Sequence, residues 1–271
     1  MHNQTKPNLL DQDKLREEYL LYGNIIDGNF FNKIIQATIN ISIRLIFFLI
    51  PNELMKKVLF RYIKIKKGVV VFYDDNNKNK ILDLIYKIKK ETKLLLFDNE
   101  ALQLYTAVKN AQKIKGSLAE VGVFKGGSAK IICEAKDNRN LYLFDTFSGI
   151  PQVKKIDQPN FYVGKYSCHL EEVKKYLKKY KNVFFINGVF PLSAENLKKI
   201  KFSFVHLDVD TYKDTLNSLK YFYPKINRGG VIIIHDYLWV EGVKKAVNNY
   251  FFIKKEPVIE LSGTQCLIIK I

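Results

Sequence analysis

Three cysteines in 271 residues, Cys133, Cys168 and Cys266, stand far apart. They form no CxxC pair, which excludes a disulfide framework and a cysteine-ligated zinc cluster and predicts a reducing, cytoplasmic setting. Arginine is nearly as scarce: Arg16, Arg44, Arg61, Arg139 and Arg228 make the whole set. Arg carries the planar fork that grips phosphate with two hydrogen bonds. The net charge of +17 therefore comes almost entirely from scattered lysines. It reads first as a solvated Lys-rich surface, and only second as weak attraction to an anionic partner. Nucleic acid is not the expected partner, because no RNA-binding module and no base-flipping motif is present. No secretory leader is expected, since MHNQTKPNLLDQDKLREEYL is polar where an apolar core would lie. Nor is a clean membrane span. The most apolar segment, IIQATINISIRLIFFLI (34–50), is interrupted by Gln36, Asn40, Ser42 and Arg44, and Pro51 ends it. Ile34, Thr38, Ile41, Leu45 and Phe48 fit one helix face, although Ile39, Ile41, Ile43 and Leu45 also fit strand alternation. The segment reads as a buried helix or one at a homo-oligomer interface. Peripheral membrane contact through residues 30–60 is the lesser reading, with Lys33, Arg44, Lys56 and Lys57 nearby.

What is present is enough apolar residue, 47% of the chain, to build a sizeable core. Residues 1–95 read as a mainly helical N-terminal extension that shapes an acceptor site or an oligomer. It is broken by VVVFY, a short strand, and closes with the amphipathic ILDLIYKIKKETK. From residue 96 to 271 strands and helices alternate. SLAEVGV, LYLFDTF, NVFFING, FSFVHLDVD and GGVIIIHDY are near-continuous apolar strands. Helices are expected over 128–135, 171–180, 192–200, 212–226 and 240–251. This is the pattern of an α/β fold with a mostly parallel sheet covered on both faces. PVIEL and TQCLIIKI lie too close for a crossover, so they read as a hairpin-like antiparallel edge.

In an open α/β sheet the ligand sits beyond the carboxyl ends of the strands. The first strand ends in Glu120 and Gly122, followed by a loop holding Gly126, Gly127 and Ser128. The second ends in Asp145 and Thr146, the third in Asn187 and Gly188. The fourth ends in His206, Asp208 and Asp210, and the fifth in His235, Asp236 and Tyr237. An acidic residue at the end of the second strand is placed to accept hydrogen bonds from ribose hydroxyls, so Asp145 points to a nucleoside. A dinucleotide would want G-x-G-x-x-G, and Phe124 occupies the second glycine position. Glu120 puts an anion where a phosphate would go and suits a ligand amino group instead. S-adenosylmethionine has a nucleoside, an ammonium and no phosphate, and its carboxylate can lie at the helix start by Gly127 and Ser128.

EVGVFKGGSA, LFDTFSGIP, HLDVDTYKDTLNSLKYFYPKINRGGVIIIHDY and GVKKAV together resemble the macrocin O-methyltransferase (TylF-type) group of class I S-adenosylmethionine-dependent methyltransferases, over roughly residues 96–271. The resemblance implies a Rossmann-like seven-stranded sheet with an antiparallel last strand, and magnesium-dependent methylation of a hydroxyl, often on a sugar. It further implies a metal held by a fourth-strand Asp and two acidic residues at the fifth strand. The matching positions here are Asp208, His235 and Asp236. His235 departs from that pattern, and imidazole suits softer ions than Mg²⁺. Such a site therefore either works with two carboxylates and water, prefers Mn²⁺ or a similar ion, or has lost its metal. Asp210 matches the family's general base, with His235 a further catalytic candidate.

The expectation is an O-methyltransferase whose acceptor is a sugar hydroxyl on a glycan precursor or a glycosylated small molecule. Glu120, Gly122, Gly126, Gly127, Ser128, Asp145, Thr146, Asn187, Gly188 and Asp208 would face the cofactor. RNA methylation, motivated by charge, is one alternative. A nucleoside-binding fold with decayed chemistry, motivated by His235, is the other.

Overall fold

A computed structural model describes residues 63–66, 69–72, 76–158 and 160–271. The expectations for residues 30–60, and for helix over most of the N-terminal extension, lie outside these residues. The chain divides into two compact units, 1–83 and 84–271. In the first, β1 (Ile63–Lys66) and β2 (Val69–Phe72) pair antiparallel, so the VVVF run is a strand. Helix α1 (Asn76–Glu91) follows and crosses the division between the units.

The second unit is an α/β sheet built as its apolar runs require. In chain order come α2 (Asp98–Ala111), β3 (Ser117–Val121), α3 (Gly127–Ala135), β4 (Leu141–Asp145), α4 (Leu170–Leu177) and β5 (Val183–Asn187). They are followed by β6 (Phe202–Leu207), α5 (Tyr212–Phe222), β7 (Ile226–Ile234), α6 (Glu241–Phe251), β8 (Ile259–Glu260) and β9 (Cys266–Ile269). The seven strands lie in the order β5-β4-β3-β6-β7-β9-β8. All pairings from β5 to β7 are parallel, while β9 runs antiparallel between β7 and β8. The mostly parallel Rossmann-like sheet with a hairpin edge is thus the observed architecture.

Alternation along the strands separates two cores. Ala119, Val121, Phe144, Phe202, Val205 and Leu207 point into one cluster with Leu219 and Phe222 of α5 and Val243 and Val247 of α6. Its centre is aromatic: Phe190 stacks on Phe222 at 5.1 Å, and Phe144 and Phe202 meet Phe222 edge-on. Each such pair adds about 0.5–1.5 kcal/mol beyond area burial. The opposite face, including Glu120 and His206, belongs to the α2–α3 side.

Two expectations need correction and one helix is new. Residues 192–200 form no α-helix; Leu192–Leu197 is a 3₁₀ segment. Helix α2 has no counterpart among the helices expected from the sequence. Strand β6 stops at Leu207, so residues 208–210 belong to a loop, and strand alternation cannot decide where Asp210 faces.

Candidate active site

The site begins where β3 ends. Gly122 has φ +86°, and a Cβ there would stand 1.8 Å from the Asp208 carbonyl oxygen. Only glycine lets the β3 and β6 ends come this close. Asp208 N in turn donates to Val121 O at 2.9 Å. The chain then turns through Phe124, at φ +47°, and Gly126, at φ +77°, which caps the N-terminus of α3. Phe124 thus adopts a left-handed conformation that glycine enters without cost.

Asp145 explains how the loop tolerates this. Its Oδ2 accepts from Val123 N at 2.6 Å and Phe124 N at 2.8 Å, and its Oδ1 accepts from Phe147 N at 2.8 Å. The carboxylate staples two strand-end loops together. By lone-pair count Oδ1 keeps one acceptor position, enough for a single hydroxyl. Thr146 Oγ1 donates to Gly149 O at 2.7 Å and accepts from Ser148 N at 3.2 Å, ordering the next turn. Gly188 N donates to Asp145 O, which brings the β5 end alongside, with Asn187 exposed beside it.

Glu120 does not reach this surface. It is fully enclosed, and its Oε1 lies 2.8 Å from His206 Nδ1, its neighbour on β6. Burial raises its carboxyl pKa against the lowering pull of His206. Glu120 thus stands beneath the loop against His206, with its Oε2 left without a partner. Ser128, buried above it in the first turn of α3, also lowers the Glu120 pKa through a hydrogen bond.

One step further along the same face, β6 and β7 bring Asp208 and His235 together. His235 N donates to Leu207 O, and its Nδ1 lies 3.1 Å from Asp208 Oδ1 and 3.3 Å from Asp236 Oδ1. Its Nε2 lies 3.3 Å from Glu100 Oε2. Burial alone would discharge this imidazole. The carboxylates of Asp236, Asp208 and Glu100 override that and hold its pKa well above 6.5. Glu100 is itself pulled below its usual range: burial works to raise it, and His235 with backbone donors outweighs burial. His235 and Asp236 are enclosed, whereas the Asp208 side chain is 23% exposed, so the cluster opens through Asp208.

Asp210 sits at the tip of a three-residue turn, with φ +61° and Thr211 N donating to Val209 O at 2.6 Å. A γ-turn of this hand is rare and strained. Asp236 is also left-handed, at φ +61°. Non-glycine residues held this way cluster where function over-determines the backbone. The structure thus gathers Gly122, the Gly126–Ser128 loop, Asp145, Asp208, Asp210, His235 and Asp236 at one end of the sheet.

Ligand atoms of Asp208, His235 and Asp236 all fall within 4.8 Å of one another. Two hard carboxylate oxygens and one imidazole nitrogen form a donor set that fits a divalent cation, with more room for nitrogen-tolerant ions than for Mg²⁺. Sequence reasoning missed Glu100 and Thr264. The only signal for Glu100 was its place three residues after Phe97, where a helix-start Glu reaches back to the backbone. It does so here, accepting from Phe97 N at 2.8 Å.

The sequence model of the macrocin O-methyltransferase (TylF) family matches residues 99–263, more than half of the chain. The chain belongs to this family. It is an O-methyltransferase. It is 26% identical over 233 residues to 8-demethyl-8-(2,3-dimethoxy-alpha-L-rhamnosyl)-tetracenomycin-C 4'-O-methyltransferase of Streptomyces olivaceus, covering 78% of this chain and 89% of that one. It is 29% identical over 157 residues to demethyldecarbamoylnovobiocin O-methyltransferase of Streptomyces niveus, covering 51% of this chain and 58% of that one. Among solved structures, the O-methyltransferase NovP superposes with a TM-score of 0.62 at 20% identity, covering 71% of this chain and 99% of NovP. Among the described residues no helix of this family member is long and apolar enough to cross a membrane.

Proposed function

We propose that this O-methyltransferase moves the methyl group of S-adenosylmethionine to a sugar hydroxyl on a glycosylated small molecule, with a divalent cation at Asp208, His235 and Asp236. The observation that carries the reading is the contact between Gly122 and the Asp208 backbone, because it sets the glycine loop directly against the acidic cluster. The relatives named for rhamnosyl-tetracenomycin and for mycinamicin III 3''-O-methylation, the latter from Micromonospora griseorubida, support a sugar-bearing acceptor.

On this reading the loop from Gly122 to Ser128 and the free acceptor position on Asp145 Oδ1 hold the nucleoside and amino-acid ends of the donor. Thr146, Asn187 and Gly188 border it. Asp208 and Asp236, with His235, would hold the cation, which supplies Lewis acidity toward the acceptor hydroxyl. Asp210, presented at its turn, takes the hydroxyl proton as general base. The acceptor oxygen forms its bond to the methyl carbon as the carbon–sulfur bond breaks, and sulfur keeps that electron pair. Holding the two reactants in line can supply on the order of 7–11 kcal/mol of the barrier.

Calorimetry with S-adenosylhomocysteine, followed by product formation with rhamnosylated acceptors with and without EDTA, tests the proposal. Binding with turnover that EDTA abolishes is the expected result. Binding without turnover on any sugar acceptor would leave a nucleoside-binding protein. No binding by folded protein would remove the cofactor assignment.

A further inference from the structure

Glu100 lies 135 positions from His235 in sequence and has no place in the expected chemistry, yet it is enclosed and fully engaged. Its Oε1 accepts from Thr264 N at 2.6 Å and from Thr264 Oγ1 at 2.9 Å. Its Oε2 accepts from Phe97 N at 2.8 Å and faces His235 Nε2 at 3.3 Å. A carboxylate offers about four acceptor positions, so these partners use all of them. Gly263 closes the pocket, since a Cβ there would meet Glu100 Oε1 at 2.6 Å. The carboxylate therefore cannot turn. Three of its four partners tie down α2 and the loop between β8 and β9. The fourth is the far nitrogen of the ring whose near nitrogen faces Asp208 and Asp236.

We propose that Glu100 is a positioning residue that fixes the His235 ring with Nε2–H toward itself and the Nδ1 lone pair toward Asp208 and Asp236. This rests on the cation reading above. A carboxylate behind a histidine sets which ring nitrogen is the ligand, and losing it typically costs about 10–100-fold in metal affinity. The consequence is a nitrogen donor in the site and a preference for Mn²⁺ over Mg²⁺.

Glu100→Gln is the informative change. If its carbonyl stays on Thr264, its amide faces His235 Nε2 as a donor and forces the ring proton onto Nδ1. Asn99→Ala is the structural control, because it removes the amide that ties α2 to Ser262 of the same loop and leaves Glu100, His235 and Thr264 in place. Mn²⁺ binding to the full chain is followed by loss of the free-ion EPR signal, and pulsed EPR reads nitrogen coupling from the bound ion. The expected result is nitrogen coupling in the unsubstituted protein, and affinity weakened about 10–100-fold with that coupling lost in Glu100→Gln. Asn99→Ala should lower the melting temperature but keep both affinity and coupling. Affinity within about twofold in Glu100→Gln, or equal weakening in Asn99→Ala, would overturn the positioning role while leaving the cation site standing. No Mn²⁺ bound by the unsubstituted protein, with S-adenosylhomocysteine still bound, would remove the cation reading and this inference with it.

Discussion

Two histidine–carboxylate clusters lie at successive levels, one between β3 and β6 and the other just past the ends of β6 and β7, with Asp208 two residues, about 7 Å of extended chain, beyond His206. At the lower level His206 meets Glu120, and both are wholly shielded from solvent. At the upper level His235 meets Asp208, Asp236 and Glu100, and Asp208 opens to solvent. Similar groups at similar distances thus have different tasks. The lower pair is closed to solvent, and its one contact leaves Glu120 Oε2 and His206 Nε2 without a partner. The upper one carries more carboxylates than its single histidine can neutralise, and it lies where strands end and loops can shape a cleft. Excess negative charge at an accessible strand end is what a cation or an acceptor hydroxyl can use.

The largest expected effect comes from breaking both levels at once. Gly122→Ala places a Cβ into the Asp208 carbonyl at a backbone angle that L-residues avoid. It should cost about 3 kcal/mol or more in urea denaturation, and abolish methyl transfer. A milder loss would mean that β3 and β6 can separate at their ends. Separating the levels comes next. Glu120→Ala strands a buried histidine and should cost about 3 kcal/mol. Asp208→Ala should cost about 1 kcal/mol or less, yet remove turnover, since the Asp208 side chain is partly solvated. Comparable destabilisation by both changes would show that the upper cluster is structural too.

Asp210→Asn sharpens the assignment of the base. Asn tolerates positive φ as Asp does, so the melting temperature should hold while kcat falls about 10²–10⁴-fold. Unchanged kcat would move the base elsewhere. The upper cluster also predicts a direction with pH. The folded pKa of His235 is raised above 6.5, so its contribution is full below pH 6.5 and is lost as pH rises through the folded value. Metal-free protein should therefore lose stability on that alkaline side, and His235→Gln should flatten the slope. The change with the smallest expected effect on turnover lies away from both clusters. Burial works against ionisation of Glu256, but hydrogen bonds from Lys270 and Tyr223 win and hold its pKa at about 2. That stability is present above pH 4.5 and lost as pH falls from 4.5 toward 2. Glu256→Gln should cost about 1–3 kcal/mol at neutral pH and remove this acid slope.

The apolar runs of SLAEV, FSFVHL and VIII state by themselves that a buried parallel sheet forms, because such strands can be satisfied only with both faces covered. The short gap between the last two strands likewise dictates their antiparallel pairing. Which residues stand at the strand ends follows from where the apolar runs stop, so the gathering of Asp145, Asp208, His235 and Asp236 could be read before any coordinates. What each side chain does there could not. A period of two tells which face a residue takes within a strand, but Asp210 lies past the end of one, in a turn that only φ reveals. Glu120 has the right spacing for a ligand contact, yet its register places it opposite His206 and under a closed surface. Asp145 spends three hydrogen bonds on backbone N–H groups that exist in that arrangement only once two loops have folded together. Glu100 meets His235, and Thr264 meets Glu100, each across more than a hundred intervening positions. Local pattern determines elements because backbone hydrogen bonding and burial are periodic. Tertiary structure decides the site, because a side chain's charge and its partners depend on neighbours that no period brings near.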